Sequence, residues 1–190
     1  MAEPLEIALK TVAAFLITTL VLIPSAFATN LTKSPSSANA YAAGLEAYDS
    51  AVASKELFHP GYKQALAIWE PLVGSGHLGA RYHVGILYYF GAGGVTIDQV
   101  KGFGMIRRAA EDGYPTAQAF LGLLSENGDG MFQKRGTDEA LKWYSLAAEA
   151  GQCAGLKRMA KAYDDGELGV TKDAAKATAL RARLPDCQKR

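Results

Sequence analysis

The stretch Ala80–Glu111, ARYHVGILYYFGAGGVTIDQVKGFGMIRRAAE, decides the fold because its landmarks return downstream at a fixed distance. Gly76, Gly113 and Gly151 are 37 and 38 residues apart, and Gly91, Gly128 and Gly166 keep the same spacing. Val84-Gly85 falls over Leu121-Gly122 and Met159-Ala160, with Tyr88, Ser125 and Tyr163 three residues on. Bulky pairs recur at Ile68-Trp69, Met105-Ile106 and Trp143-Tyr144, with Leu180-Arg181 in the last unit. Small residues recur at Ala65, Gly102, Ala140 and Ala177. Internal repetition at this period marks a stack of supersecondary units that bury their apolar faces on one another.

Each unit holds two helical stretches. Apolar residues fall at three- and four-residue spacing, as at Ala140, Trp143, Tyr144, Ala147 and Ala148, and a glycine follows each stretch, where a helix C-terminus wants positive φ. No segment shows strand alternation with turn chemistry. The expected fold is all-α, a solenoid of about four antiparallel helix hairpins. First helices are expected near 38–54, 78–90, 115–127 and 153–165, their partners near 61–74, 98–112, 136–150 and 172–184, in hairpins of about 38–74, 77–113, 115–151 and 153–187. Phe58-His59-Pro60-Gly61 breaks the irregular leading unit, and Pro185 is expected to end the last helix.

Upstream of the repeats, Thr11–Ile23 is an apolar run of 13 residues, shorter than the roughly 20 a membrane-spanning helix needs. Pro24 and the small-x-small pattern Ala26-Phe27-Ala28 follow. Residues 1–28 therefore read as a signal peptide cleaved after Ala28, although Glu3 and Glu6 suit its basic end poorly. The alternatives are an uncleaved anchor, which would give the only membrane contact, and a buried core helix. Residues 29–37, TNLTKSPSS, read as a linker, and 38–190 as the repeat domain. A formal net charge of +1 gives no polybasic case for nucleic acid. Two cysteines exclude a Cys-rich zinc module.

The repeat residues resemble the Sel-one-like repeat (SLR) family, a relative of the tetratricopeptide repeat (TPR). The family pattern A-x-x-x-L-G-x-x-Y-x-x-G-x-G-V, then D-x-x-K-A, then W-Y-x-x-A-A-E-x-G is echoed by Leu121-Gly122, Gly128, Gly130 and EALKWYSLAAEAG (Glu139–Gly151). It returns in Tyr163, Gly166, Gly169-Val170, Asp173 and Lys176-Ala177. Ser125 stands where Tyr is usual, and Met159-Ala160 replaces Leu-Gly. The resemblance covers about residues 62–184 and implies a right-handed α/α solenoid. It implies a non-catalytic adaptor, scaffold or envelope signalling regulator that binds a protein or peptide in the cell envelope, periplasmic or secreted. Cysteine-rich relatives reported to bind penicillin make a secreted hydrolase of β-lactam or cell-wall compounds the alternative.

Chemistry-bearing motifs are weak. Gly91-Ala92-Gly93-Gly94 lacks the strand before it and the Gly-Lys-Ser/Thr after it that a phosphate loop needs, so it reads as a turn. His59, His77 and His83 have no zinc-protease spacing. No serine begins an S-x-x-K motif, and there is no G-x-S-x-G. Asp98, Asp138 and Asp173 read as helix N-terminal charges. No catalytic residue, metal or cofactor is expected. Homo-oligomerisation stays open. Cys153 and Cys187 flank the last hairpin, whose antiparallel ends meet, so a disulfide is geometrically reasonable; two half-buried thiols are the alternative.

Solenoids of this kind bind through a concave face lined by first helices. Counted from each Val-Gly or Leu-Gly glycine, and from Gly44 in the leading unit, the positions three before, one after and four after are the non-packing ones. They give Tyr41, Leu45 and Tyr48; Tyr82, Ile86 and Tyr89; Ala119, Leu123 and Glu126; and Lys157, Lys161 and Asp164. The groove is expected to be aromatic in its N-terminal half and charged in its C-terminal half, with packing between hairpins the competing role for each tyrosine. Lys157–Arg190 carries nine Lys+Arg and five Asp+Glu, either a solvated last helix or a contact for an acidic partner or anionic surface.

Overall fold

Stretches whose apolar residues follow a 3.6-residue period coil into helices that pair as hairpins, because one hairpin alone leaves its apolar stripe in water. The computed structural model describes residues 36–128 and 136–187. The leading hairpin is α1 (Ser37–Ser54) with α2 (Gly61–Gly74). Next come α3 (Leu78–Phe90) with α4 (Gln99–Glu111), and α5 (Pro115–Asn127) with α6 (Thr137–Glu149). The last pairs α7 (Cys153–Asp165) with α8 (Ala174–Ala182), followed by the single turn α9 (Leu184–Cys187). No strand occurs among the described residues, and the architecture is an α/α solenoid. The apolar run 11–23 and the cleavage pattern lie outside the described residues.

One packing rule recurs inside the hairpins. A glycine on the first helix faces the bulky residue on the second. A Cβ on Gly44 would stand 2.2 Å from the Trp69 indole, one on Gly85 2.9 Å from Ile106 Cγ1, and one on Gly122 2.8 Å from the Tyr144 ring. Trp69 and Ile106 are fully buried, and the indole Nε1–H donates to Tyr41 O at 3.2 Å. Gly102 brings α3 and α4 into backbone contact, since a Cβ there would meet Tyr89 N at 2.5 Å. The fourth hairpin has Ala160 and Arg181 in the glycine and bulky positions.

The turns repeat as faithfully as the packing. Asp98 N–H donates to Tyr88 O at 2.9 Å, Gly136 N–H to Ser125 O at 2.7 Å, and Asp173 N–H to Tyr163 O at 2.8 Å. Because the acceptor is a main-chain carbonyl, Ser125 serves as well as tyrosine. Between hairpins, the amides of His77, Tyr114 and Gln152 donate to Leu72, Ala109 and Ala147 carbonyls at 3.0, 2.8 and 2.9 Å. Side-chain caps close several N-termini: Asp98 and Asp173 accept from Lys101 and Lys176 amides at 2.9 and 3.0 Å. Asp138 instead lies in the first turn of α6, which Gly136 precedes. The Gly91–Gly94 segment is a 3-10 turn after α3, with Gly93 N–H donating to Leu57 O at 2.6 Å.

The C-terminus departs from one expectation. The last long helix stops at Ala182, not at Pro185, and Pro185 sits inside α9. A proline at 185 would clash with the Arg181 carbonyl in a continued helix, whereas in the first turn of α9 its missing N–H has no intrahelical partner to lose, so the long helix ends before it. Cys187 then reaches Cys153, and the two are disulfide-bonded with Cα atoms 5.4 Å apart.

Two outcomes are expected. Gly102→Ala should lower stability by about 1–3 kcal/mol despite alanine's better helix propensity, because backbone atoms cannot yield. Gly104→Ala, with nothing within 4 Å, should raise it by up to ~1 kcal/mol. Equal thermal-denaturation shifts would sink the backbone-contact account. Denatured, unreduced protein should contain no free thiol, and Cys187→Ser should cost roughly 3–4 kcal/mol by the loop-entropy relation, read by denaturant titration.

Candidate functional site

Packing on one side of α5 and of α7 leaves another side facing a groove. In α5 that side carries Thr116, Ala119, Phe120 and Leu123; in α7 it carries Ala154, Lys157, Arg158 and Lys161. These occupy equivalent repeat positions, six, three and two before and one after the landmark glycine or Ala160. Tyr82 of α3, Tyr144 of α6 and Gln152 at the start of α7 complete an open groove of 510 Å³. Its α5 wall is apolar, and Leu123 is 47% exposed. Its α7 wall is cationic.

The groove's back is tied across two hairpins. Arg158 Nε donates to both Glu126 oxygens, at 3.1 and 2.9 Å, and Nη2 reaches Glu126 and Glu167. Tyr144 OH donates to Glu126 at 3.2 Å. The Arg158 hydrogen bond holds the Glu126 carboxyl below its ordinary range and the guanidinium above its own. Burial, then the Glu126 charge, pushes the Tyr144 phenol up. Lys161 pairs with Asp165 at 2.9 Å and with Glu167.

The structure distributes the residues singled out by periodicity. Tyr82, Leu123, Lys157 and Lys161 line this groove, as does Ala119. Glu126 does not line it; its carboxylate clamps Arg158 from outside. Ile86 and Tyr89 are buried in the core around Phe103 and Ile106. Tyr41 and Tyr48 pack between the first two hairpins. The Tyr41 ring lies 4.4 Å from His77 and its hydroxyl 3.2 Å from that of Tyr114. Tyr48 lies 5.6 Å from Tyr62 and 5.3 Å from His83. The N-terminal half is thus filled by its own aromatic rings.

Sequence reasoning missed Phe120, Arg158, Thr116 and Ala154. The stripe is i, i+3, i+4, i+7, whereas three positions spaced four and three apart were read from the glycine, so the helix faces the groove slightly rotated. The signal was available in the α5/α7 correspondence of Phe120 with Arg158. Tyr144 was read only as a packing residue and does both.

His83 occupies the same repeat position in α3 and is caged instead. Trp69 stacks on it at 4.8 Å, and the rings of Tyr41, Tyr48 and Tyr82 stand 5.0–6.0 Å away. His77 caps α3, its Nδ1 accepting from Ala80 N at 3.1 Å. Among the described residues no cluster of three or more His, Cys, Asp or Glu could hold a metal ion. No helix among them is long and apolar enough to cross a membrane.

Burial lowers the His83 pKa from 6.5 to about 4. The unfolded chain then takes up the proton first as pH falls. Stability is full above about pH 6.5 and is lost towards pH 4, on the order of 3 kcal/mol. Tyr41, Tyr48 and Tyr82 face the ring as uncharged phenols, their own pKa values raised by burial. His83→Phe keeps the stacking and should flatten this limb, measured as the wild-type minus variant unfolding free energy against pH. A pH-independent difference would contradict the burial argument.

The Sel1 repeat family model matches residues 79–114, 115–152 and 154–180. Among solved structures, a Sel1 repeat protein from Oxalobacter formigenes is similar, with TM-score 0.62 and 25% identity over 84% of this chain and 62% of that one. So is c5321, a protective antigen present in uropathogenic Escherichia coli strains displaying an SLR fold, with TM-score 0.58 and 29% identity over 80% of this chain and 31% of that one. The chain thus spans less than two thirds of either neighbour. No curated protein matches it.

Proposed function

The chain belongs to the Sel1 repeat family, whose members are generally protein-interaction scaffolds and typically non-catalytic, and we propose that it is an exported adaptor that binds a cell-envelope protein through the α5/α7 groove. The observation that carries this reading is the groove itself. It is concave, preformed, 510 Å³ in volume and mainly apolar, with polar groups at defined points, which is the composition of a recognition surface. Tyr82 and Tyr144 are held by packing and Arg158 by Glu126, so part of the wall is ordered before binding.

Export is supported by the Cys153–Cys187 bridge, a bond that persists in oxidising compartments, together with the apolar run and Ala26-Phe27-Ala28 of the leader. In this reading the protein holds its partner in place, as a scaffold for an envelope complex or as a regulator that sequesters a signalling protein. It does so without bond-making of its own.

Leu123→Glu is the decisive variant, because the side chain is half exposed and its loss leaves the core intact. In affinity capture from an envelope extract, a partner should be retained by the wild type and lost by Leu123→Glu, with the two giving the same circular dichroism. Retention by the variant moves binding off this groove. Turnover of a chromogenic β-lactam or of muropeptides by the purified protein would overturn the non-catalytic reading. Mass measurement of the exported product should find Thr29 at its start.

A further inference from the structure

Resting on the groove reading above, we propose that the occupant is an extended segment of a partner protein carrying a large apolar side chain and, about three residues away, an aspartate or glutamate. Every charged side chain in the groove wall is cationic: Lys157, Arg158 and Lys161. The carboxylates that offset Arg158 and Lys161, namely Glu126, Asp165 and Glu167, stand outside that wall. Lys157 is exposed and forms no ion pair among the described residues. It lies one turn from Lys161 on the same face of α7, so the two ammonium groups present one patch. Beside it, Arg158 Nη1 is shielded and has no acceptor among the described residues.

The facing wall asks for the opposite chemistry. Phe120 and Leu123 on α5 hold apolar surface towards the groove, and nearly half of Leu123 is in water. An apolar side chain laid there removes that surface from solvent. The Glu126–Arg158 bond spans the two walls and sets them about one interhelical spacing apart, roughly 8–10 Å, and an extended chain advances about 3.3 Å per residue. A chain crossing from the α5 wall to the α7 wall therefore separates its apolar anchor from its acid by about three residues.

Other occupants fit less well. A basic segment meets the unpaired Lys157 ammonium and finds no carboxylate in the wall. A wholly apolar one covers Lys157 without pairing it, and an unpaired buried charge is costly. An anionic lipid surface is flat, whereas these cations sit inside a concavity beside an apolar wall.

The test is display of random short peptides on the full chain, with Leu123→Glu as the counter-selection. Peptides with an apolar residue and an acid about three positions apart, in one order, should be enriched. In fluorescence anisotropy, a selected peptide should bind Lys157→Glu about fivefold more weakly, and added salt should weaken wild-type binding. Replacing the peptide's acid by lysine should restore binding to Lys157→Glu, a charge swap that a merely structural role for Lys157 does not produce. Peptides that depend on Leu123 yet are neutral or basic overturn this inference and leave the groove reading standing. Absence of any Leu123-dependent peptide overturns both. Lys157-dependent binding to phosphatidylglycerol vesicles with no peptide selected overturns it in favour of a lipid surface.

Discussion

The contact between a glycine on one helix and a bulky side chain on the next underlies the architecture. Gly44 against Trp69, Gly85 against Ile106 and Gly122 against Tyr144 set how closely each hairpin closes. Removing a Cβ lets the helices approach, and the ring or branched chain fills the recess left behind, at the close packing typical of protein interiors. In the α3–α4 hairpin the approach reaches backbone contact through Gly102. Each closed hairpin then presents the next with a fixed surface, so stacking follows. The last unit, with Ala160 and the exposed Arg181 in those positions, lacks this pairing of glycine with a buried bulky chain and holds the disulfide.

That closure decides where an uncovered surface remains. First helices spend one side on their own partner and another on the neighbouring hairpins. In α5 and α7 what is left is the stripe from Thr116 to Leu123 and from Ala154 to Lys161. In the first two hairpins the comparable space is occupied from within, by Tyr41, Tyr48, Trp69 and His83 stacked on one another. The same repeat therefore gives a half filled by aromatic rings and an open half. The difference lies in side-chain volume, since α3 carries Tyr82 and His83 where α7 carries Lys157 and Arg158.

Electrostatics fixes the open half. Glu126 comes from α5, Tyr144 from α6 and Arg158 from α7, so one carboxylate joins three helices of two hairpins. The pair is partly exposed, and its net contribution to stability is modest; its role is to hold the guanidinium in one orientation. This also accounts for Glu126 lying behind the groove. A glutamate beside an arginine of the next repeat satisfies its own charge before it can serve a ligand.

The fold was written in the sequence because repetition is a local signal read many times over. Glycine spacing, paired bulky residues and capping positions each pointed to the same helix boundaries. Even Ser125, a departure from the pattern, keeps the turn bond because that bond uses its carbonyl. At Pro185 local reasoning fell short, since a proline is tolerated in the first turn of a new helix and Pro185 sits in α9. The site was legible only in part. Lys157, Lys161, Leu123 and Tyr82 follow from periodicity, because exposure on a helix depends on phase alone. Periodicity is blind to rotation of the helix against its neighbours, which brought Phe120 and Arg158 into the wall. It is equally blind to the fate of a tyrosine, since the ring suits a groove and a core alike. The volume left by neighbouring hairpins decided that Tyr41 and Tyr48 pack while Tyr82 also lines a surface. That volume exists only once the chain has folded, so the sequence determined the repeat and its periodic faces, and the tertiary structure decided which face stays open.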